Sequence, residues 1–276
     1  MMDNKVLVIT GMHRSGTSML AQWLHKCGLH VGDQFLGVGI GNDDGHFEDL
    51  DFYQYHKNIL RDQGLPEDGL IETTISELSA GQLCELRKLI SNKNAGQAQW
   101  AWKEPRTCLF LEQYRQLLPA AVYLVILRDY SSVVSSLVNR IYNGTVAKYA
   151  DRKGLSKFMW EYVKKPFRKK KLLGKYGEHF LKVWITYNEA ILRHLQRIPA
   201  AEYLVVDHMA LAASNKTVFR HLSETWHFSL SYYEFSKVFK QKLLGEQLNI
   251  TSYIHNKSLL AKADQLQKDL QQLAVK

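Results

Sequence analysis

Val6-Leu7-Val8-Ile9-Thr10-Gly11-Met12-His13-Arg14-Ser15-Gly16-Thr17-Ser18 is the stretch whose reading decides the fold. Val6 to Thr10 is a short apolar, β-branched run closed by a glycine, the pattern of a buried strand. Ser15 to Cys27 reads as a helix, because Met19, Leu20, Trp23, Leu24 and Cys27 fall on one face and Gly28 ends it. Between them lies GxxxxGxS, the frame of a phosphate-binding loop. Backbone N–H groups in such a loop converge on an anion, and the helix N-terminus adds a favourable dipole. A plain glycine turn is the alternative reading.

Working outward, Trp100-Ala101-Trp102, Val122 to Leu127 and Glu202 to Val206 read as three further strands. Helices are expected from Asp49 to Gln63, Ser76 to Ile90, Tyr130 to Tyr142, Glu178 to Arg197 and Ser258 to Val275. Gly28 to Gly45 is glycine-rich and reads as a long loop, and Asn143 to Tyr176 as a second loop walling the substrate site. Strands alternating with helices predict an α/β fold, a P-loop NTPase-like three-layer α/β/α sandwich around a parallel sheet of about four to five strands. Residues 1–276 read as a single domain, with a core over about 5–228 and a C-terminal helical extension over about 229–276. Ligands of such sheets bind beyond the carboxyl ends of the strands, so functional residues are sought there.

Composition sets the outer bounds. With 46% hydrophobic and 23% charged residues the chain is of globular type. Its 36 Lys and Arg against 27 Asp and Glu leave a formal charge of +9, which favours anionic partners without choosing among them. Cys27, Cys84 and Cys108 are widely spaced with no CxxC pair, arguing against a disulfide framework or zinc site and for a reducing compartment. No metal is expected, since the histidines show no ligand spacing such as HExxH. The apolar run near the start is too short for a signal peptide or a bilayer span, so a soluble, cytoplasmic protein is expected.

A nucleoside triphosphatase carries lysine where Thr17 stands, reaching the terminal phosphates. Here Arg14 is the nearby cation, and Asp207 is a weak candidate for holding magnesium. The loop therefore suits an adenosine 5'-phosphate donor better than a magnesium-bound triphosphate.

Arg14-Ser15-Gly16-Thr17-Ser18 resembles the 5'-phosphosulfate loop of sulfotransferases that use 3'-phosphoadenosine 5'-phosphosulfate (PAPS). A second hallmark is a strand ending in arginine, with serine eight residues on. Leu124-Val125-Ile126-Leu127-Arg128, then Ser136, is similar, with Ser135 as the alternative register. The resemblance is to bacterial-type members that are themselves like carbohydrate sulfotransferases, and it runs from Lys5 to about Phe228. It implies that Arg14, Ser15, Gly16, Thr17 and Ser18 hold the phosphosulfate, that Arg128 and Ser136 hold the 3'-phosphate, and that the acceptor is a carbohydrate or glycoconjugate hydroxyl. Tyr130 stands where the family usually has proline, a position that shapes the turn.

Transfer to a hydroxyl requires a base and positive charge around the moving group. Gly45-His46-Phe47-Glu48-Asp49 is similar to a unit in which the family carries its base; Glu48 is the first choice, with His46 and Asp44 as alternatives, and helix capping by Glu48 and Asp49 is the plainer reading. Lys103-Glu104-Pro105-Arg106 resembles another family segment, placing Lys103 at the transferring group and Arg106, with His46, at the acceptor; a structural ion pair of Glu104 with either cation competes. The basic run from Lys164, continued over 164–175, is either a solvated surface loop or a docking surface for an acidic glycan or an anionic membrane; nucleic acid is disfavoured, since no recognition motif accompanies the charge. The C-terminal helix reads as docked on the domain, a partner-binding helix being the alternative. The rival functions are a P-loop small-molecule kinase and a non-catalytic nucleotide-binding or scaffold protein.

Overall fold

The structure, a computed structural model, describes residues 4–37, 47–239 and 246–275. Four strands form one parallel sheet in the order β2-β1-β3-β4: β1 (Lys5–Thr10), β2 (Gln99–Lys103), β3 (Val122–Leu127) and β4 (Tyr203–Asp207). Val8 stands opposite Trp102 on one side and Tyr123 on the other, and Leu127 pairs with Asp207. Successive side chains of a strand point to opposite faces. Val6, Val8, Trp100, Trp102, Tyr123 and Val125 thus feed one core, and Leu7, Ile9, Ala101, Leu124, Ile126 and Val206 the other.

Helices cover both cores. On the first lie α2 (Leu50–Asp62), α3 (Ala80–Gly96), α4 (Leu111–Leu117), α5 (Tyr130–Ala150), α7 (Lys165–Leu195) and α9 (Lys257–Gln272). On the second lie α1 (Thr17–Lys26) and α8 (Leu211–Arg220). The layered α/β fold is as the sequence predicts. The chain leaves β1 for β2 on one side, whereas β3 lies on the other, so the strand order reverses at the end of β1. That reversal opens the crevice in which this class of sheet binds ligands.

Three expectations change. Helix α3 begins at Ala80, because Ser79 and Gln82 form a reciprocal capping box, while Ser76 is tied to the Gln63 side chain. Asn143 to Tyr176 is not a loop: α5 runs on to Ala150, and α6 (Gly154–Phe158), a π turn (Met159–Lys164) and the start of α7 fill the rest. The basic run therefore opens a helix that begins at Lys165, well before the expected Glu178. Pro166 follows directly on the π turn, where the Lys165 amide bonds five residues back to the Trp160 carbonyl, so the missing N–H falls where the regular ladder is already shifted.

The C-terminal helix is docked, as its plainer reading has it. Ala263, Leu266 and Leu270 are buried in the first core, and the Val275 amide donates to the Val205 carbonyl at 2.9 Å. Among the described residues no helix is long and apolar enough to cross a membrane.

Candidate active site

The loop after β1 is shaped by two glycines. A Cβ at Gly11 would lie 2.6 Å from the Ile126 carbonyl oxygen, so only glycine lets the turn press against β3. Gly16 has a φ of +95°, and a side chain there would run into the His208 ring. Arg14, at a φ of 67°, also takes the left-handed conformation that non-glycine residues avoid. The N-terminus of α1 has no side-chain cap, which leaves its first-turn N–H groups facing the crevice end of the sheet.

Three arginines gather beside this loop. The Arg14 Nε donates to the Ser136 Oγ at 3.0 Å, and the Arg128 guanidinium donates to the Arg14 carbonyl oxygen at 2.8 Å. The two sequence motifs, far apart in the chain, are thus in direct contact. The Arg128 Nε is buried without a partner. Arg140, one helical turn beyond Ser136, lines the same cleft. Burial, with repulsion from Arg140 and Arg128, brings the Arg14 pKa down to about 10, and burial lowers that of Arg128 as well. Among the described residues none of the three forms a salt bridge with a carboxylate. Ser135 is turned away, its Oγ accepting from the Leu248 amide, so Ser136 is the serine in register.

The carboxylate expected at the site is beside the end of β2. The Lys103 Nζ donates to the Glu48 Oε1 at 3.0 Å and to the Ser18 Oγ at 3.2 Å, which links β2, the loop before α2 and the start of α1. Lys103 is fully buried and Glu48 only 8% exposed, lining the cleft in front of it. Burial lowers the Lys103 pKa, against the pull of Glu48. The capping role belongs to Asp49, which accepts from the Asp51 amide. Glu48 is instead held by its backbone: the Leu36 amide donates to the Glu48 carbonyl and the Leu50 amide to the Gln34 carbonyl.

Two buried networks stand behind these groups. Glu104 pairs with Arg106, not with Lys103, and accepts from the His56 ring, whose other nitrogen meets the Tyr114 hydroxyl at 2.7 Å. Though burial opposes ionisation, Arg106 and His56 hold the Glu104 carboxyl below its usual range. Lys93 is the second centre: its Nζ contacts Asp33, Asp49 and Asp51 at 2.5, 2.9 and 2.7 Å. Those carboxylates lie close enough together to hold a cation, and the ammonium of Lys93 lies among them. The lysine thereby pins both sides of the Glu48 segment to α3. Against burial, the three carboxylates raise its pKa.

The cleft has a volume of about 770 Å³, within the usual range for small-ligand sites. Arg14, Thr17, Ser18, Glu48, Arg106 and Arg140 line it, together with the apolar Leu70, Leu137, Ile141 and Phe180. Of the expected site residues, Arg14 to Ser18, Glu48, Lys103, Arg106, Arg128 and Ser136 come together around this crevice. His46 and Asp44 lie outside the described residues. Sequence reasoning missed His13, Arg140 and Lys57, which also line the cleft. His13 carried a signal, its place inside the loop motif, whereas Arg140 had one only in its i+4 relation to Ser136. Burial and then the nearby Arg106 push the His13 pKa down to about 3, so its ring is neutral near pH 7 and a poor proton acceptor.

Comparison with known proteins bears on the family and the fold. The family described as "Sulfotransferase family" matches residues 7–230. Sulfotransferase STF9 from Mycobacterium avium superposes with a TM-score of 0.60 at 13% identity, covering 95% of this chain and 76% of that one. At that identity the likeness is one of fold. The sulfotransferase domain from the Synechococcus PCC 7002 olefin synthase aligns over 96% of this chain and 94% of its own at 14% identity, with a TM-score of 0.47. No curated protein matches the chain by sequence.

Proposed function

The chain belongs to the sulfotransferase family, and from that premise we propose that it transfers a sulfuryl group from PAPS to an acceptor hydroxyl, that of a carbohydrate or glycoconjugate. The observation that carries the donor reading is the arginine cluster: Arg14 is buried with Arg140 and Arg128 close enough to lower its basicity, and the buried Arg128 Nε is left without a partner. Like charges this close, with no carboxylate in salt-bridge contact among the described residues, are stabilised by a bound anion. A 3',5'-bisphosphorylated nucleoside presents two. The Arg14 to Ser18 loop with the uncapped start of α1 suits its 5' end, and Arg128 with Ser136 suits the 3'-phosphate.

When bound, the donor supplies the activated sulfuryl group. The chain's own residues do the rest. Glu48 takes the proton of the acceptor hydroxyl, Lys103 fixes its Oε1, and the other carboxylate oxygen is left to accept. Arg14 and Lys103 stabilise negative charge developing on the leaving side, and Arg106 orients the acceptor. Glu48 is favoured over the cleft's neutral histidine, because burial, and then Arg106, make the His13 ring a poor proton acceptor. The kinase reading is weaker: Thr17 replaces the lysine of a triphosphate loop, and the Asp207 carboxylate is engaged by the Met209 and Ala210 amides.

The test is turnover. Purified protein is given donor with the sulfur radiolabelled and a panel of mono- and oligosaccharides, and product is followed with and without Glu48→Gln. Transfer to a sugar hydroxyl that is lost in the variant supports the reading. Transfer only to non-sugar hydroxyls removes the carbohydrate part, and donor binding with no transfer to any hydroxyl favours a non-catalytic protein of this fold.

A further inference from the structure

Six of the eight large hydrophobic side chains that stand exposed among the described residues fall within one short segment: Leu155, Phe158, Met159, Tyr162, Val163 and Phe167. Their spacing follows helical periodicity along α6, the π turn and the start of α7, and the Phe158 and Tyr162 rings meet at 4.9 Å. The segment is not loosely placed. Trp160 points inward from the same turn, is 2% exposed, and stacks on Tyr149 of α5 at 4.5 Å. One aromatic anchors the segment while its neighbours face solvent. A contiguous apolar row of this kind marks an interaction surface.

The charge around the row selects the partner. From Arg152 to Gly177 the sole acid is Glu161, and it is paired with Lys165 at 2.6 Å. Lys153, Lys157, Lys164, Lys170 and Lys171 are exposed beside the apolar side chains. An apolar stripe flanked by lysines is the composition of a helix that lies in the interface of an anionic bilayer, with the rings in the acyl boundary and the ammonium groups at the headgroups. A second copy of this chain fits less well, since a two-fold contact would set the two lysine rows against each other.

We propose that the face formed by residues 153–171 docks the protein on an anionic lipid surface. This is independent of the sulfuryl-transfer reading, and it moves the docking site from the basic run alone to an apolar row that precedes it.

Flotation of the full chain with vesicles tests this directly. Vesicles of phosphatidylcholine alone are compared with vesicles of phosphatidylcholine and phosphatidylglycerol in equal parts. Two variants change exposed side chains only: Phe158→Ser with Tyr162→Ser and Phe167→Ser, and Lys157→Glu with Lys164→Glu. Circular dichroism and thermal melting check that both keep the fold. The wild type should float with the anionic vesicles and not with the neutral ones. The apolar variant should lose at least about tenfold in partition, and the charge variant at least about fivefold per lysine. A wild type that stays in solution with both vesicles overturns the proposal. Binding lost on charge reversal but untouched by the apolar variant overturns it in favour of a soluble polyanion. A dimer in light scattering that the apolar variant dissociates, without vesicle binding, overturns it in favour of self-association.

Discussion

Lys93 and Arg14 are both cations largely withdrawn from water, and they end in opposite situations. Lys93 meets three carboxylates and its pKa rises. Arg14 meets a serine hydroxyl and other arginines, and its pKa falls. The first arrangement is complete in itself, with the charge answered inside the protein, and it serves to hold the Glu48 segment on α3. The second lacks a salt-bridged carboxylate among the described residues, and in the proposed function an anion from outside balances it. Charge balance, more than burial or residue type, separates the structural cation from the binding one.

The comparison can be broken in several places. The largest effect is expected for Lys93→Met, which strands the buried Asp49 carboxylate. Urea denaturation should show a loss of about 3–5 kcal/mol, and a loss below about 1 kcal/mol would reduce the lysine to a surface pair. Glu48→Gln keeps an oxygen for Lys103 and removes the proposed base. Steady-state assays should find kcat down by about 10²–10⁴-fold with donor affinity unchanged, and unchanged turnover would dismiss Glu48 as the base. Arg128→Ala should weaken adenosine 3',5'-bisphosphate binding by about 2–4 kcal/mol, while the melting temperature holds or rises because a repulsive neighbour is gone. A fall in both would make Arg128 structural, like Lys93.

The smallest effect concerns a third solution, in which a buried group gives up its charge. Burial, with Arg115 and Arg197 nearby, lowers the His194 pKa to about 4. The unfolded chain then takes up the proton first, so stability falls as pH drops from the ordinary histidine range toward 4. At pH 5 this amounts to about 2 kcal/mol. His194→Leu should flatten the dependence of stability on pH over that window, and an unaltered profile would show that His194 titrates normally.

What the sequence made legible was local. The β1–loop–α1 unit is written in contiguous residues, and Arg128 and Ser136 follow from a strand end and two helical turns. Even the contact between those motifs was foreshadowed, because parallel strands bring their carboxyl ends to one edge. The Lys93 cluster was not legible, since its partners come from two other segments and nothing at Lys93 distinguishes it from a solvated lysine. Nor was the helical course of residues 143–176. Its apolar residues recur at helical spacing but face solvent among lysines, which reads as a polar surface segment, and Pro166 looks like a breaker although the backbone stays helical through it. Both misses have one cause: each element is defined by what lies opposite it in space.

The central claim is that the arginine cluster is a site for a nucleoside bisphosphate. Calorimetric titration with adenosine 3',5'-bisphosphate, beside magnesium-ATP, tests it most directly. The account predicts tight binding of the bisphosphate and little for magnesium-ATP, with the bisphosphate lost in Arg14→Ala and Arg128→Ala. A preference for magnesium-ATP, or bisphosphate binding that survives both substitutions, would contradict it.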